Sequence, residues 1–259
     1  MKVSIIGCGN LGTSLLDGWL SAGLKAENFF ITRRNIESLS KYADLGVQVS
    51  TDNQKAVEFA DVVVFGLKPY NLINELQLLN SSLTSDKLLV SLVSSISTVE
   101  IDQVLTNEVP VVRVMPNTGA AVNESMTCIC ADVKSKSKLG SIEDLFKHNG
   151  EIIVIEESLM DAATVLGASG VAFSLRYIRA MMQAGIQLGF SSEQSKVIAS
   201  QVVKGASQLI AQTGHHPEFE IDRVSTPKGC TIEGLNEMEH NGFSSALIKG
   251  VVKSKQLFD

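Results

Sequence analysis

Cysteine is scarce in this 259-residue chain: Cys8, Cys128, Cys130 and Cys230 are the full set, and no two stand as Cys-x-x-Cys. That spacing excludes the disulfide framework of a small secreted domain, so reduced thiols are expected. Cys128 and Cys130 alternate with Thr127 and Ile129 in a predicted strand, which places both on one face as small buried residues. Basic charge is not in excess either. Lys and Arg number 22 against 28 Asp and Glu, a formal net charge of -6, and sequence-independent binding to nucleic acid needs a basic surface that displaces phosphate counterions. A long apolar run is missing at the N-terminus: Met1-Lys2-Val3-Ser4-Ile5-Ile6 turns at once into glycines, too briefly for a signal peptide or a membrane span. The expected compartment is the cytoplasm, with neither nucleic acid nor membrane as partner. His215 and His216 are adjacent, with no third ligand at metal spacing, so no metal site is expected. No internal repeat, low-complexity tract or long linker interrupts the chain, and Lys134 to Lys138 reads as a solvated loop.

What is present is an ordinary globular composition, 44% hydrophobic and 19% charged, with apolar material enough for one large domain or two modest ones. Through the first part of the chain, short β-branched apolar runs alternate with amphipathic stretches: Val3 to Ile6, Phe29 to Thr32, Val62 to Gly66, Leu88 to Leu92 and Val111 to Val114. This βαβ pattern predicts a mainly parallel sheet with helices on both faces. Gly23 ends the first helix, and Ser97-Thr98-Val99-Glu100 is a capping box that opens another. Ser125 to Ala131 and Ile152 to Ile155 extend the sheet, flanking a helix around Ser141 to Lys147. From about Met160 the strands stop, and apolar residues recur at helical spacing through Met160 to Leu188 and Glu193 to Gln212. The fold class is therefore α/β, with a dinucleotide-binding Rossmann domain over 1–157 and an all-helical substrate-binding and dimerisation domain over 158–259. The stretch Val171 to Ile186 is apolar over much of its circumference, as in helices that pack across a subunit interface, which makes a dimer the expectation.

Gly7-Cys8-Gly9-Asn10-Leu11-Gly12 is a complete Gly-x-Gly-x-x-Gly between the first strand and an amphipathic helix. Glycine is needed there so that the backbone can turn sharply and approach a pyrophosphate, while the helix N-terminus offers unpaired N–H groups to the anion. At the end of the Phe29 to Thr32 strand, where an acidic residue would bind the 2′-hydroxyl of NAD, stand Thr32-Arg33-Arg34. A hydroxyl and two guanidiniums fit a 2′-phosphate, so NADP is preferred and NAD remains possible; the alternative is that the arginines are exposed helix-start residues. S-adenosyl groups and flavins also use such loops, but neither calls for arginines there. Ser94 and Ser95 follow the Leu88 to Leu92 strand at its C-terminal end, where ligands bind in this architecture.

In the helical half, Val224-Ser225-Thr226-Pro227-Lys228-Gly229-Cys230-Thr231-Ile232-Glu233-Gly234-Leu235 is a loop feeding a helix. Its hydroxyls and the free N–H groups of the helix suit a small carboxylate, though a plain N-cap and turn reads equally well. This loop resembles the Ser-Pro-Gly-Gly-x-Thr signature of the pyrroline-5-carboxylate reductase family. Other landmarks of that family are similar and fall in the same order: Gly9-Asn10, Asn53, Lys68-Pro69, Arg113-x-Met115-Pro116-Asn117-Thr118, Thr213-Gly214-x-His216-Pro217 and Asn241-Gly242-Phe243. The departures are Thr226-Pro227-Lys228-Gly229 for Ser-Pro-Gly-Gly, Ala168-Ser169-Gly170-Val171-Ala172-Phe173 for Gly-Ser-Gly-Pro-Ala-Tyr, and Gly119 where Pro usually follows Asn-Thr. These bear on pocket shape more than on the reaction. Lys228 either helps hold a carboxylate or is an exposed loop-tip lysine.

The resemblance implies hydride transfer from NAD(P)H to the C=N carbon of 1-pyrroline-5-carboxylate, giving L-proline, the last step of proline biosynthesis. It implies that backbone N–H groups around Gly229, Cys230 and Thr231 hold the carboxylate, with Thr226 and Lys228 in the same loop and the catalytic Thr231 hydroxyl near the ring nitrogen. It also implies that Gly66, Leu67, Lys68 and Pro69 line the nicotinamide and its ribose, that Asn53 meets the adenosine ribose, and that a homodimer, or a larger assembly of dimers, completes the site. A rival Rossmann imine or β-hydroxyacid reductase usually carries a lysine on the long helix after the Rossmann domain, and none stands between Leu166 and Leu188. A non-catalytic NADP sensor on the same fold is the remaining alternative.

Overall fold

The computed structural model describes residues 1–258; Asp259, the last position of the expected helical domain, lies outside them. The elements in chain order are β1 (Val3–Ile6), α1 (Asn10–Ser21), β2 (Phe29–Thr32), α2 (Ser40–Asp44), β3 (Gln48–Ser50), α3 (Asn53–Phe59), β4 (Val62–Phe65), α4 (Pro69–Leu79), β5 (Leu88–Ser91) and α5 (Thr98–Asp102). There follow β6 (Val111–Met115), β7 (Ser125–Ala131), α6 (Leu139–Lys147), β8 (Gly150–Val154), α7 (Met160–Ala163), α8 (Gly170–Gln187), α9 (Ser192–Thr213), α10 (Pro217–Val224), α11 (Cys230–His240) and α12 (Phe243–Lys255). One eight-stranded sheet runs in the order β3-β2-β1-β4-β5-β6-β7-β8. All its neighbours are parallel except β6 and β7, which run antiparallel. The reversal of the order between β1 and β4 marks the crevice where doubly wound sheets bind ligands.

Strands β1, β4 and β5 are buried at every position, as strands covered by helices on both faces must be. One face holds α1, α2 and α6 through Leu15, Leu16, Trp19, Tyr42, Ile142 and Phe146; the other holds α3, α4 and α5 through Val57, Leu72, Leu76 and Ile101. Trp19 stacks on Phe29, meets the edge of Phe146 and donates its indole N–H to the Leu145 carbonyl at 2.9 Å, so its one polar atom is satisfied in the core. Helix α1 ends on Gly23 in the left-handed region, with the Leu24 N–H returning to the Trp19 carbonyl. Cys128 and Cys130 share a small apolar cluster with Met115 and Met160, while Thr127 and Ile129 on the opposite face of β7 are also buried.

Two differences from the sequence reading have local causes. Strand β3 is not among the apolar runs because Gln48-Val49-Ser50 is a half-exposed edge. The helix expected from Met160 through Leu188 is continuous to Gln187 but not α throughout: α7 passes into a π-helical turn over Thr164–Ser169 before α8 begins. The Asn117 side chain donates to the Gly167 carbonyl inside that turn at 3.1 Å, and an inserted side-chain donor is a recognised cause of such an opening. By contacts within the chain, compact units form at 1–171 and 172–257. Residues 158–171 stay with the sheet because Met160 is fully buried in the β6–β7 cluster and Glu157 pairs with Arg113.

The second unit is helical throughout. Ser191 and Gln194 form a capping box at the start of α9, and Gly214 ends that helix in the left-handed region. Gly185 of α8 meets Ser195 of α9 so closely that a β-carbon would lie 2.7 Å from the Ser195 hydroxyl. Helix α8 nevertheless buries none of its residues within the single chain, and Leu175, Met181 and Ile186 are exposed. Residues 157–187 are long and apolar enough to cross a membrane by length and composition alone, with 11% of the most apolar window buried; Arg176 and Arg179 fall within them.

Helix α1 lies against the turn after β6 so tightly that a β-carbon on Gly18 would meet the Ala120 carbonyl at 2.1 Å and the Asn149 amide at 2.2 Å. Gly18→Ala is therefore expected to destabilise the protein by about 1–3 kcal/mol, read as a lower urea midpoint at unchanged slope. An unchanged midpoint would show that this contact yields without cost.

Candidate functional site

The glycine loop is shaped from beneath. Gly7 takes φ +80°, and a β-carbon there would overlap the Leu67 side chain at 2.4 Å. The Cys8 N–H donates to the Thr32 carbonyl at 2.7 Å, and the Gly66 N–H to the Ile6 carbonyl at 2.9 Å, so the ends of β1, β2 and β4 are stitched together. Thr32 is fully buried, and its hydroxyl lies 3.4 Å from the Gly7 N–H and 3.5 Å from the Ile5 carbonyl. That corrects the expectation that this hydroxyl meets a 2′-phosphate: it faces into the sheet and supports the loop.

Gly12 packs against Ile5 and Cys8, where a β-carbon would come within 3.1 Å of the Cys8 sulfur. Gly9 is different. A β-carbon there would meet only the Gly7 carbonyl, at 4.0 Å, so internal packing does not demand glycine at this position. Gly9 is also the N-cap of α1 and supplies no side-chain cap. The open side of the loop and the free N–H groups at Asn10, Leu11 and Gly12 fit a dinucleotide pyrophosphate. Cys8 is buried, and burial pushes its thiol up to about 12 against the opposing influence of Arg33; it is a neutral wall of the loop, not a nucleophile.

Arg33 and Arg34 are both exposed just beyond β2. Arg33 is anchored by its N–H to the Ser50 carbonyl at 3.3 Å and by Nη1 to the Ser38 hydroxyl at 3.1 Å, leaving the rest of its fork available to an anion. Asn53 is the first residue of α3, behind the Asp52 cap, and its Nδ2 donates to Glu75 Oε1 at 2.7 Å. A carboxylate only accepts, so Glu75 fixes the amide with its Oδ1 as the remaining acceptor. Gly66 and Leu67 follow β4, and Lys68 and Pro69 are the N-cap and first residue of α4. Ser94 and Ser95 follow β5; Ser95 has φ +63°, a left-handed conformation uncommon outside glycine.

Thr226, Lys228, Gly229, Cys230 and Thr231, the residues expected to hold substrate, lie in the second unit. Thr226 to Gly229 is a turn closed by the Gly229 N–H on the Thr226 carbonyl at 2.9 Å. Lys228 holds φ +59° with its side chain exposed. A β-carbon on Gly229 would lie 2.5 Å from the Thr226 hydroxyl. Cys230 and Thr231 open α11, whose N-cap Gly229 has no side chain to occupy its N–H groups. His216 caps α10, and the ring of His215 lies 2.6 Å from Glu220, so both histidines have structural partners. Among the described residues no three His, Cys, Asp or Glu gather as a metal site. Sequence reasoning did not find Glu75 or Glu157, whose partners stand 22 and 44 residues away; no local motif marks either.

These geometries separate two glycines. Gly7→Ala is expected to lower the melting temperature through the Leu67 overlap and its positive φ. Gly9→Ala should leave stability nearly unchanged and weaken NADPH binding by about tenfold or more, measured by fluorescence titration; equal NADPH affinity in Gly9→Ala and wild type would remove this loop as the pyrophosphate site.

Residues 157–257 match the family described as pyrroline-5-carboxylate reductase dimerisation, and residues 2–95 match that described as NADP oxidoreductase, coenzyme F420-dependent. Along the chain, pyrroline-5-carboxylate reductase 2 of Dictyostelium discoideum is 38% identical, over 98% of this chain and 91% of its own. Pyrroline-5-carboxylate reductase 1 of the same organism is 39% identical over 97% of this chain, which spans about half (48%) of that longer protein. The enzyme of Methanosarcina acetivorans is 32% identical over 98% of this chain and 96% of its own. The Plasmodium falciparum pyrroline carboxylate reductase, solved with NADP bound, superposes with a TM-score of 0.91 at 25% identity, covering 100% of this chain and 97% of that one. With the glycine loop, the eight-stranded sheet and the α11 loop in place, the chain belongs to the pyrroline-5-carboxylate reductase family of NAD(P)H-dependent oxidoreductases.

Proposed function

We propose that the protein reduces the C=N bond of 1-pyrroline-5-carboxylate to give L-proline, with NADPH as its preferred donor. The observation that carries this reading is the likeness to proteins of that name along nearly the whole chain. Bound NADPH supplies the hydride; the chain's own residues bind, orient and control the proton. Gly7, Gly9, Asn10, Leu11 and Gly12 hold the pyrophosphate, Arg33 and Arg34 the 2′-phosphate, and Asn53 the adenosine ribose through Oδ1. Gly66, Leu67, Lys68 and Pro69, with Ser94 and Ser95, line the nicotinamide and its ribose.

The substrate carboxylate rests on the N–H groups of Gly229, Cys230 and Thr231 at the start of α11, in the loop that Thr226 and Lys228 shape. The Thr231 hydroxyl hydrogen-bonds at the ring nitrogen and favours the protonated, more electrophilic imine. As the imine carbon gains the hydride, that nitrogen keeps its proton and becomes the amine of proline. The protein works as a homodimer, or an assembly of dimers, in the cytoplasm. The exposed apolar side chains of α8 and of α12, Leu247, Ile248 and Val252 among them, support a second copy as the cover for these helices. Four free cysteines fit a reducing compartment.

The direct test is NADPH oxidation by the purified protein with 1-pyrroline-5-carboxylate, NADH in parallel and proline assayed as product; cofactor binding without proline would overturn the reading. Thr231→Ala is expected to lower kcat about a hundredfold while leaving the dissociation constant of NADPH nearly unchanged, because its hydroxyl acts at the imine. Wild-type turnover in that variant would remove Thr231 from the reaction. Arg33→Ala with Arg34→Ala should raise the KM for NADPH about tenfold or more and leave that for NADH alone. Unchanged constants for both would leave the arginines as surface residues.

A further inference from the structure

The Arg113-x-Met115-Pro116-Asn117-Thr118 segment has no part in the reaction as described above, yet it holds a costly arrangement. Arg113 is 4% exposed. Its Nη1 donates to Glu157 Oε1 at 2.9 Å, while its buried Nε and Nη2 have no partner. Apolar side chains of similar volume commonly fill such a space at no loss of stability, so the pair calls for a task other than stability. Glu157 indicates which. Its Oε1 also accepts the Thr98 backbone N–H at 2.8 Å, and its Oε2 accepts the Thr98 hydroxyl at 2.7 Å. Burial pushes the Glu157 carboxyl up, but the hydrogen bonds from Thr98 and Arg113 outweigh it and keep the group below the usual carboxylate range, ionised and able to accept from both.

Thr98 is the first residue of α5 and ends the connection from β5 that carries Ser94 and Ser95. Ser95 has a left-handed backbone, which a residue with a β-carbon keeps only where its surroundings hold it there. The upstream end of this connection is fixed by β5 in the middle of the sheet. The downstream end is fixed by the Ser97–Glu100 capping box and, from outside, by Glu157. The segment that bears Glu157 is gripped twice, at Glu157 by Arg113 of β6 and at Gly167 by the buried Asn117 just beyond that strand.

We infer that Glu157, set in place by Arg113, is a positioning residue for hydride transfer: it holds the Ser94–Ser97 loop in the shape in which that loop lines the cofactor. The inference rests on the reductase reading, in which Ser94 and Ser95 lie beside the dinucleotide. Glu157 touches neither ligand; it acts through Thr98.

Three variants test it: T98V, which deletes only the hydroxyl bond; T98S, which restores it; and E157Q, which removes the charge. T98V is expected to lower kcat about tenfold, with both KM values near wild type and a larger primary isotope effect from C4-deuterated NADPH. T98S should return both readouts to wild type, and E157Q should exceed T98V. In the cofactor-free protein, amide exchange at Ser94 to Ser97 should quicken in T98V and E157Q but not in T98S. Wild-type kcat, isotope effect and loop exchange in T98V, with only a lower melting temperature, would reduce the cluster to a structural one and overturn the inference. If E157Q does not fold, the Thr98 pair decides. If the wild type does not reduce 1-pyrroline-5-carboxylate, the reductase reading falls and amide exchange decides alone: faster exchange in T98V but not T98S upholds the loop-holding role, and equal exchange overturns it.

Discussion

The close passage of three strand ends beneath one glycine is the constraint on which the first unit depends. Gly7 must turn with φ +80° under the Leu67 side chain while the Thr32 hydroxyl sits below its N–H. Only a residue without a β-carbon can do both. Once that turn is made, Gly12 lets α1 close onto Ile5 and Cys8, and Gly18, farther along the same helix, lets it close onto the turn after β6. The helix is thus clamped at both ends, which fixes the direction in which its free N–H groups point. The open N-terminus of α1 is thus a by-product of packing glycines that have little room to be anything else, and Gly9 alone of the loop's three glycines has space around it.

Legibility in the sequence followed the range of the interaction. The glycine loop, the first helix and the capping box at Ser97 are local patterns, and each stands where the residues placed it. Thr32 was legible as a strand-end hydroxyl but not in its direction: two consecutive strand residues face opposite ways, and only the neighbouring strands decide which way is inward. The edge strand β3 left no apolar run to read. The π-helical turn was hidden for a different reason. Its cause is Asn117, 50 residues upstream of Gly167, and no periodicity within 160–188 records a donor arriving from outside.

The helical half shows the converse. Periodicity marked α8 as a helix wanting burial on several sides, and the single chain buries none of it. Apolar exposure on that scale is disfavoured for a monomer in water. Helix α12 carries the same character, with Leu247, Ile248 and Val252 exposed. Local sequence thus records a demand for burial without recording what meets it.

The loop before α11 shows how a family signature can change at one glycine and not at its neighbour. The Gly-Gly of the resembling family stands here as Lys228-Gly229, and the two positions ask for different things. The first requires a left-handed backbone, φ +59°, which a lysine can adopt at about 1–2 kcal/mol, its side chain pointing away into open space. The second has an ordinary φ of -80°, so conformational freedom is not what it needs. It needs the missing β-carbon, because the Thr226 hydroxyl would lie 2.5 Å from it. A strain of backbone angle can be offset elsewhere in the fold, whereas an overlap of atoms would force the turn open and tilt the N–H groups of α11. The substitution therefore falls at the glycine whose loss leaves the turn before α11 intact, and adds an exposed positive charge to that turn.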